Sequence, residues 1–340
     1  MFQFAQRRKL YYLISALIII PGLIAMVIST IQNGSPVLLS IDFTGGTLME
    51  VSFVEDFDEQ QIRDALNAYG LEDIVVQRLD PIPTDNIEGV HDAAGSRWQL
   101  RTKEIENIDN FRDHLRESLG EFWSPQSVED DPKREAAITT SSVSATVGRE
   151  VTRAALTATL AVAVVILGFI VFAFRRVPHA FRYGACAIIA MFHDILITMG
   201  VMSILGLLFG WEADALFLTA LLTVVGYSVQ DKIVVFDRIR ENIPKHRDEP
   251  YELIVNRSVL ETVHRSLATQ LNAIFVMIAI VLFGGETIRE FIAILLIGLV
   301  SGTYSSIFTA VPLLVSWEKG ELPFVNRDAK RLRHEAPAAG

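Results

Sequence analysis

Residues 216–236 read Leu-Phe-Leu-Thr-Ala-Leu-Leu-Thr-Val-Val-Gly-Tyr-Ser-Val-Gln-Asp-Lys-Ile-Val-Val-Phe. This stretch decides the fold, because a helix of about twenty predominantly apolar residues spans the hydrocarbon core of a bilayer. Two charged residues, Asp231 and Lys232, sit inside it. A charge at the centre of a membrane helix costs roughly 2.5–3.5 kcal/mol on insertion scales, and such a residue faces a protein interior or a water-filled path, where it binds, pairs or relays protons. The functional question posed by the sequence is what Asp231 carries.

Outward from this run, apolar blocks recur along the 340 residues, of which 51% are hydrophobic. Blocks of that length point to a membrane protein. Six spans are expected, at 10–31, 154–174, 181–209, 215–236, 267–283 and 291–317, as a helical bundle. The first follows Arg7, Arg8 and Lys9 and resembles a signal peptide. It is longer than an apolar signal core and lacks a small-residue cleavage site, so it reads as a retained anchor. The lone cysteine, Cys186, excludes an intramolecular disulfide and a cysteine-based metal site. No P-loop pattern is present, so the chain is not expected to hydrolyse ATP. No catalytic motif, metal site, cofactor or nucleic-acid partner is expected.

The net charge of −10 is unevenly spread. Residues 33–150 hold 24 acidic and 10 basic residues, and the remainder holds 16 acidic and 20 basic. The acidic segment, 32–150, is expected to be a separate water-exposed domain. Orientation follows from the basic residues. Arg7, Arg8 and Lys9 precede the first span. Arg175, Arg176 and Arg182 join the second to the third. Arg238, Arg240, Lys245, Arg247, Arg257 and Arg265 lie at 237–265, and Lys319, Arg327, Lys330, Arg331 and Arg333 in the tail at 318–340. The two short opposite loops carry only Arg289. Both termini, including residues 1–9, are therefore expected in the cytoplasm and the acidic domain outside.

That domain reads strand, helix, strand, strand, helix, strand. Strands are expected at 47–54, 74–79, 97–102 and 138–147. Helices are expected at 58–69, with Asp58 as N-cap and Gly70 just past the end, and at 108–119, followed by Gly120. Residues 81–95 read as a turn-rich connection and 129–135 as a solvated loop. The order fits a βαββαβ, ferredoxin-like α+β unit.

Polar residues inside the spans form candidate sites. Thr223, Tyr227 and Asp231 recur every four residues and share one helix stripe, with Gln230 beside it. The stripe suits a wet or packed interior; the alternative is an inter-helix hydrogen-bond contact. Lys232 points about 100° away from Asp231, and its long stem is expected to snorkel to the interface. Arg265, Thr269 and Asn272 form a second stripe on the fifth span. Arg265 is either a boundary anchor or a cation near Asp231, where it would favour the charged acid against the effect of burial. His193 and Asp194, midway along the third span, are either a proton relay or a mutually satisfied polar pair. Gly298, Gly302, Ser306 and Ala310 form a small-residue stripe that lets another helix approach closely.

These residues carry a resemblance. The run Gly226-Tyr227-Ser228-Val229-Gln230-Asp231, continued by Val234-Val235-Phe236-Asp237-Arg238-Ile239-Arg240-Glu241-Asn242, resembles the fourth-span signature of SecF in the SecD/SecF family. Asp42, Phe43, Gly45, Gly46 and Thr47, after the first span, look like the motif the family carries there. His193-Asp194, Arg265-Ser266, Leu282-Phe283-Gly284-Gly285 and the run from Gly302 to Phe308 match the later spans, so the likeness covers nearly the whole chain. Gln230 stands where the family usually has Asn, and Lys232 where it has a small polar residue.

The resemblance implies a SecF translocase subunit of the resistance–nodulation–division (RND) superfamily, whose working unit has twelve spans. This chain would supply six in the bacterial inner membrane and pair with SecD. The pair would associate with SecYEG, with YajC as a further candidate partner, and would act on a translocating preprotein by using the proton-motive force. It also implies that Asp231 and Arg265 take part in proton coupling. Two alternatives stay open: a non-motor assembly subunit supporting SecD, and half of an RND-type exporter of small molecules or lipids.

Overall fold

The computed structural model describes residues 4–71, 74–79, 96–103, 105, 107–120, 122, 138–175 and 180–322. The connection expected at 81–95, the loop expected at 129–135, Arg176, and the tail beyond residue 322 lie outside the described residues. The chain divides into two compact units, Met1–Leu38 with Leu156–Gly340, and Leu39–Ala155.

The first unit is helical. Among the described residues, six helices are long and apolar enough to cross a membrane. They are built from α1 (Arg8–Asn33), α5 (Ala145–Ala173, whose residues up to Ala155 belong to the second unit), α6 (Ala180–Phe209), α7 (Ala215–Asn242), α8 (Tyr251–Phe283) and α9 (Glu286–Ser305). A π-helical turn, Ser306–Ala310, and α10 (Val311–Glu318) prolong α9 into one continuous rod. The core lies where α6, α7 and the α9 rod meet, around Ala187, Met191, Val225, Val229, Ala310 and Leu314. The apolar portions of α5 and α8 are mostly left uncovered by the chain.

Two local causes set the α7–α8 pair. Asp214 starts α7 by accepting the Phe217 amide at 2.7 Å, which satisfies one of the helix's unpaired first amides. At the other end α7 runs on to Asn242, and α8 already begins at Tyr251. The expected connection at 237–265 is thus largely helical. Its helices are tied by polar side chains: Arg238 Nε donates to Glu261 at 2.6 Å, and Asn242 donates to Glu261 at 2.7 Å and to Ser258 at 3.0 Å.

The second unit is a four-stranded sheet under two helices. A single helical turn, α2 (Ile41–Thr44), leads into β1 (Gly46–Phe53); α3 (Glu59–Ala68), β2 (Val75–Leu79), β3 (Ser96–Thr102), α4 (Ile108–Leu119) and β4 (Ile138–Val143) follow. The strand order is β2-β3-β1-β4, and every neighbour is antiparallel. β3 alternates buried and half-buried residues, so Trp98 and Leu100 face inward with Met49, Val51 and Phe53 of β1. Ile62 and Leu66 of α3 and Phe111 and Leu115 of α4 complete this core. Asp58 caps α3 in a reciprocal box with Gln61, and Asn107 caps α4.

The last strand is shorter than its composition suggests. Residues 138–147 are rich in Thr, Ser and Val, but β4 stops at Val143 and α5 starts at Ala145. The Ser144 hydroxyl accepts the Val147 amide at 3.4 Å, so the same small polar residues that favour a strand also begin the helix here.

Candidate functional site

A buried carboxylate needs donors, and three helices, α6, α7 and α9, supply them. Asp194 of α6 is fully buried. Its Oδ2 accepts from Ser228 Oγ at 2.6 Å, Ser305 Oγ at 2.6 Å and Lys232 Nζ at 2.9 Å. Its Oδ1 accepts from Ser301 Oγ at 2.8 Å and lies 3.1 Å from His193 Nδ1. Two serines of α9 and one of α7 therefore converge with a lysine on one anion. The imidazole of His193 stacks on Tyr304 with centroids 6.2 Å apart, and its buried Nε2 has no hydrogen-bond partner among the described residues.

Lys232 does not snorkel. Its side chain is wholly buried, and Nζ donates to Asp194 Oδ2, to the Ser228 carbonyl at 2.8 Å and to the Ser228 hydroxyl. An ammonium has three donors, and all three are used. The expectation failed because it placed Lys232 near the span's end. α7 continues for ten more residues, to Asn242, or about 15 Å at helical rise.

Asp231 faces a different helix. It is 4% exposed, and its Oδ2 accepts from Gln270 Nε2 of α8 at 2.8 Å. Arg265 is not brought to it: Arg265 is exposed, and its carbonyl accepts from Thr269 Oγ1 at 3.0 Å. Five residues separate Arg265 from Gln270, which turns the two about 140° apart on the helix. The buried polar stripe of α8 is Ser258, Thr262, Ser266 and Gln270, one residue out of phase with Arg265, Thr269 and Asn272.

The same offset holds on α7. Val224, Ser228 and Lys232 are buried in line, whereas Tyr227 and Gln230 are exposed and Thr223 is half-buried. Thr223 and Thr269 each donate to the carbonyl four residues before them. The chain thus leaves Tyr227, Gln230, Arg265, Thr269 and Asn272 uncovered on two apolar helices.

The small residues of α9 let α7 approach. A Cβ on Gly302 would stand 3.2 Å from the Cα of Ser228, and one on Gly298 would fall within the Val224 side chain. The contact brings Ser228 to Asp194. Ser306 is buried and donates to the Thr303 carbonyl at 2.9 Å.

The motif after the first helix belongs to the other unit. Asp42 and Phe43 lie in α2. Gly45 and Gly46 follow with φ of +74° and +119°, a left-handed pair that turns the chain into β1 and that side-chain-bearing residues rarely adopt. Thr47 Oγ1 accepts the Ile105 amide at 3.1 Å. These residues shape the entry to the sheet.

Gln270, Ser228, Ser301 and Ser305 were missed by sequence reasoning. The usable signal was the demand of Asp194 itself: a buried carboxylate must find donors on its neighbours. Serines four residues apart on the last span answer that demand.

Residues 126–320 match the family described as protein export membrane protein SecD/SecF, C-terminal. The protein translocase subunit SecF of Thermobaculum terrenum is 43% identical over 311 residues, covering 92% of each chain. The subunit of the same name from Anaerolinea thermophila is 42% identical over 319 residues, covering 93% of this chain and 94% of that one. Among solved structures, SecDF from Thermus thermophilus, described as a translocon-associated membrane protein, superposes with a TM-score of 0.72 at 27% identity. The alignment covers 94% of this chain but 39% of that one, so the chain spans about two-fifths of the SecDF polypeptide.

Proposed function

The chain belongs to the SecD/SecF family of protein export membrane proteins, and on that footing we propose that it serves as the SecF subunit of a Sec translocase, assisting protein export by coupling it to the proton-motive force. The observation that carries this reading is Asp231: a carboxylate inside an apolar helix, hydrogen-bonded by the neutral amide of Gln270 and, among the described residues, in no direct ion pair. Such a group can exchange a proton without first breaking an ion pair. One elementary charge crossing 100 mV releases about 2.3 kcal/mol. One or two protons per cycle can therefore bias helix arrangements that differ by a few kcal/mol.

In this reading the six long apolar helices are spans of the inner membrane, with both termini cytoplasmic. The support is the basic bias of the N-terminus and the even-numbered connections. The acidic unit is then extracytoplasmic and ferredoxin-like, supported by its βαββαβ order and its antiparallel β2-β3-β1-β4 sheet. SecD is the partner half. The support is twofold: the chain corresponds to part of a longer SecDF polypeptide, and Tyr227, Gln230, Arg265, Thr269 and Asn272 are polar groups uncovered on membrane-type helices. Polar side chains at that depth face protein or water rather than lipid. Arg265 accordingly serves the partner-facing surface, and SecYEG, YajC and the preprotein are met through the assembled pair.

The test is Asp231→Asn in cells that depend on this chain, with recovery of the SecD complex measured alongside. The expected result is an intact complex that no longer responds to the proton gradient. Normal gradient-driven export by that variant would overturn the coupling role, and loss of the complex alone would favour a purely assembly role.

A further inference from the structure

Asp231 and Lys232 are consecutive, yet they belong to two separate networks. Adjacent residues on a helix point about 100° apart. Asp231 reaches α8 through Gln270, whereas Lys232 reaches α6 and, through the shared carboxylate of Asp194, Ser301 and Ser305 of α9. Three of its contacts fix the ammonium in place: Asp194 Oδ2, the Ser228 carbonyl and the Ser228 hydroxyl. Gly302 against Ser228 and Gly298 against Val224 hold the same face of α7 at close range. Contacts of this kind along one face oppose rotation of α7 about its own axis.

We propose that Lys232 is a positioning residue for proton exchange: anchored to Asp194, it sets the rotation of α7 that directs Asp231 at Gln270, and it neutralises Asp194 so that Asp231 is left as the exchangeable acid. The proposal rests on the coupling role of Asp231 given above. Asp194 and Asp231 are the two buried carboxylates among the described residues, and only Asp194 has an ion-pair partner there. The charged and titratable groups packed around this region are Lys232 on α7, His193 and Asp194 on α6, and Tyr304 on α9. From α8, Gln270 and Ser266 are the buried polar groups at this level, both neutral. Among the described residues Lys232 makes its ion pair with Asp194 and not with Asp231, so it acts on Asp231 through the orientation of α7 as well as through its field.

The experiment uses the full chain in its SecD complex, comparing Lys232→Met combined with Asp194→Asn against the parent. The double change removes both charges together, which avoids stranding either one. The expected result is an assembled complex whose gradient-driven export falls at least roughly tenfold, since a misplacement of about 1 Å costs on the order of a hundredfold. Its export–pH profile is displaced from that of the parent. Ser305→Ala, which removes one of the hydrogen bonds on Asp194 and leaves both charges, gives a smaller displacement in the same direction and serves if the double variant fails to assemble. Parental rates and a parental pH profile in the assembled variants overturn the proposal. Asp231→Asn, run in parallel, separates the two ideas. If it exports normally, the coupling role falls and Lys232 has nothing to position. If it loses export while the other variants keep the parental profile, only the positioning role falls.

Discussion

Lys232 and Asp194 form a 2.9 Å ion pair in which neither side chain reaches the surface, on the face of α7 that turns away from Asp231. Taking two charges out of water is costly, and their attraction offsets that cost only where the remaining donors and acceptors are satisfied. Here three serine hydroxyls and the Ser228 carbonyl complete the shell.

Removing one partner of such a pair is predicted to be far worse than removing both. Lys232→Met leaves Asp194 uncompensated and is expected to destabilise the helical unit by about 3–5 kcal/mol. Adding Asp194→Asn to the same chain is expected to recover most of that loss. Thermal unfolding of the detergent-purified complex measures both, and equal destabilisation by the single and double variants would contradict the pairing.

The α7–α9 contact depends on hydrogen atoms standing where side chains would otherwise be. Gly298→Val drives its new methyl groups into Val224, and overpacking of this kind costs about 1–3 kcal/mol. Because Val224 is the obstructing group, Val224→Ala in the same chain is expected to restore part of the loss. Melting temperatures of the two variants decide it: no rescue would place the strain elsewhere.

How much of this was legible beforehand depends on the range of the interaction that sets each feature. The long apolar helices follow from local hydrophobicity, and the start of α3 follows from Asp58 as its N-cap. Asp231 stood out because a buried acid is expensive wherever it lies. The rotation of α7 and α8 was not legible. On both helices, polar residues occupy positions one apart, Tyr227 beside Ser228 and Thr269 beside Gln270, and periodicity alone does not choose between them. The choice is made from outside each helix. On α7 it comes from Gly298 and Gly302 and from the demand of Asp194 for donors more than 30 residues away in the chain. The burial of Lys232 is likewise set from outside its helix, by Asp194 on α6, together with the continuation of α7 to Asn242.

The capping box of α3 offers a test confined to the sheet unit. Asp58 Oδ1 accepts the Gln61 amide at 2.8 Å, and Gln61 returns a hydrogen bond from the Asp58 amide at 3.0 Å. Asp58→Ala removes the first bond and orphans a helical amide, at a cost of about 1 kcal/mol. Native-state hydrogen exchange is expected to quicken at the first turn of α3, while amides of α4 keep their rates. Uniform acceleration across both helices would mean that the cap supports the whole unit.

Acid is predicted to loosen the contact between Arg8, at the start of α1, and Glu321, three residues beyond the end of α10. Arg8 donates to both carboxylate oxygens of Glu321, at 2.8 Å from Nε to Oε2, and also reaches Glu252 at 3.1 Å. The hydrogen bond from Arg8 holds the Glu321 carboxyl below its ordinary value. A carboxylate with a depressed folded-state value stabilises the protein above the unfolded value, near 4.3 for glutamate, and that contribution disappears as pH falls through the folded value. Glu321 is partly exposed, so the pair is worth only about 0–1 kcal/mol. Glu321→Gln is therefore expected to lower the melting temperature slightly at pH 7 and to have a shrinking effect as the pH is taken down through the carboxylate range. Arg8 keeps Glu252 in both proteins, so the difference between parent and variant isolates Glu321. A difference that persists unchanged at pH 3 would mean that Glu321 acts through packing and not through its charge.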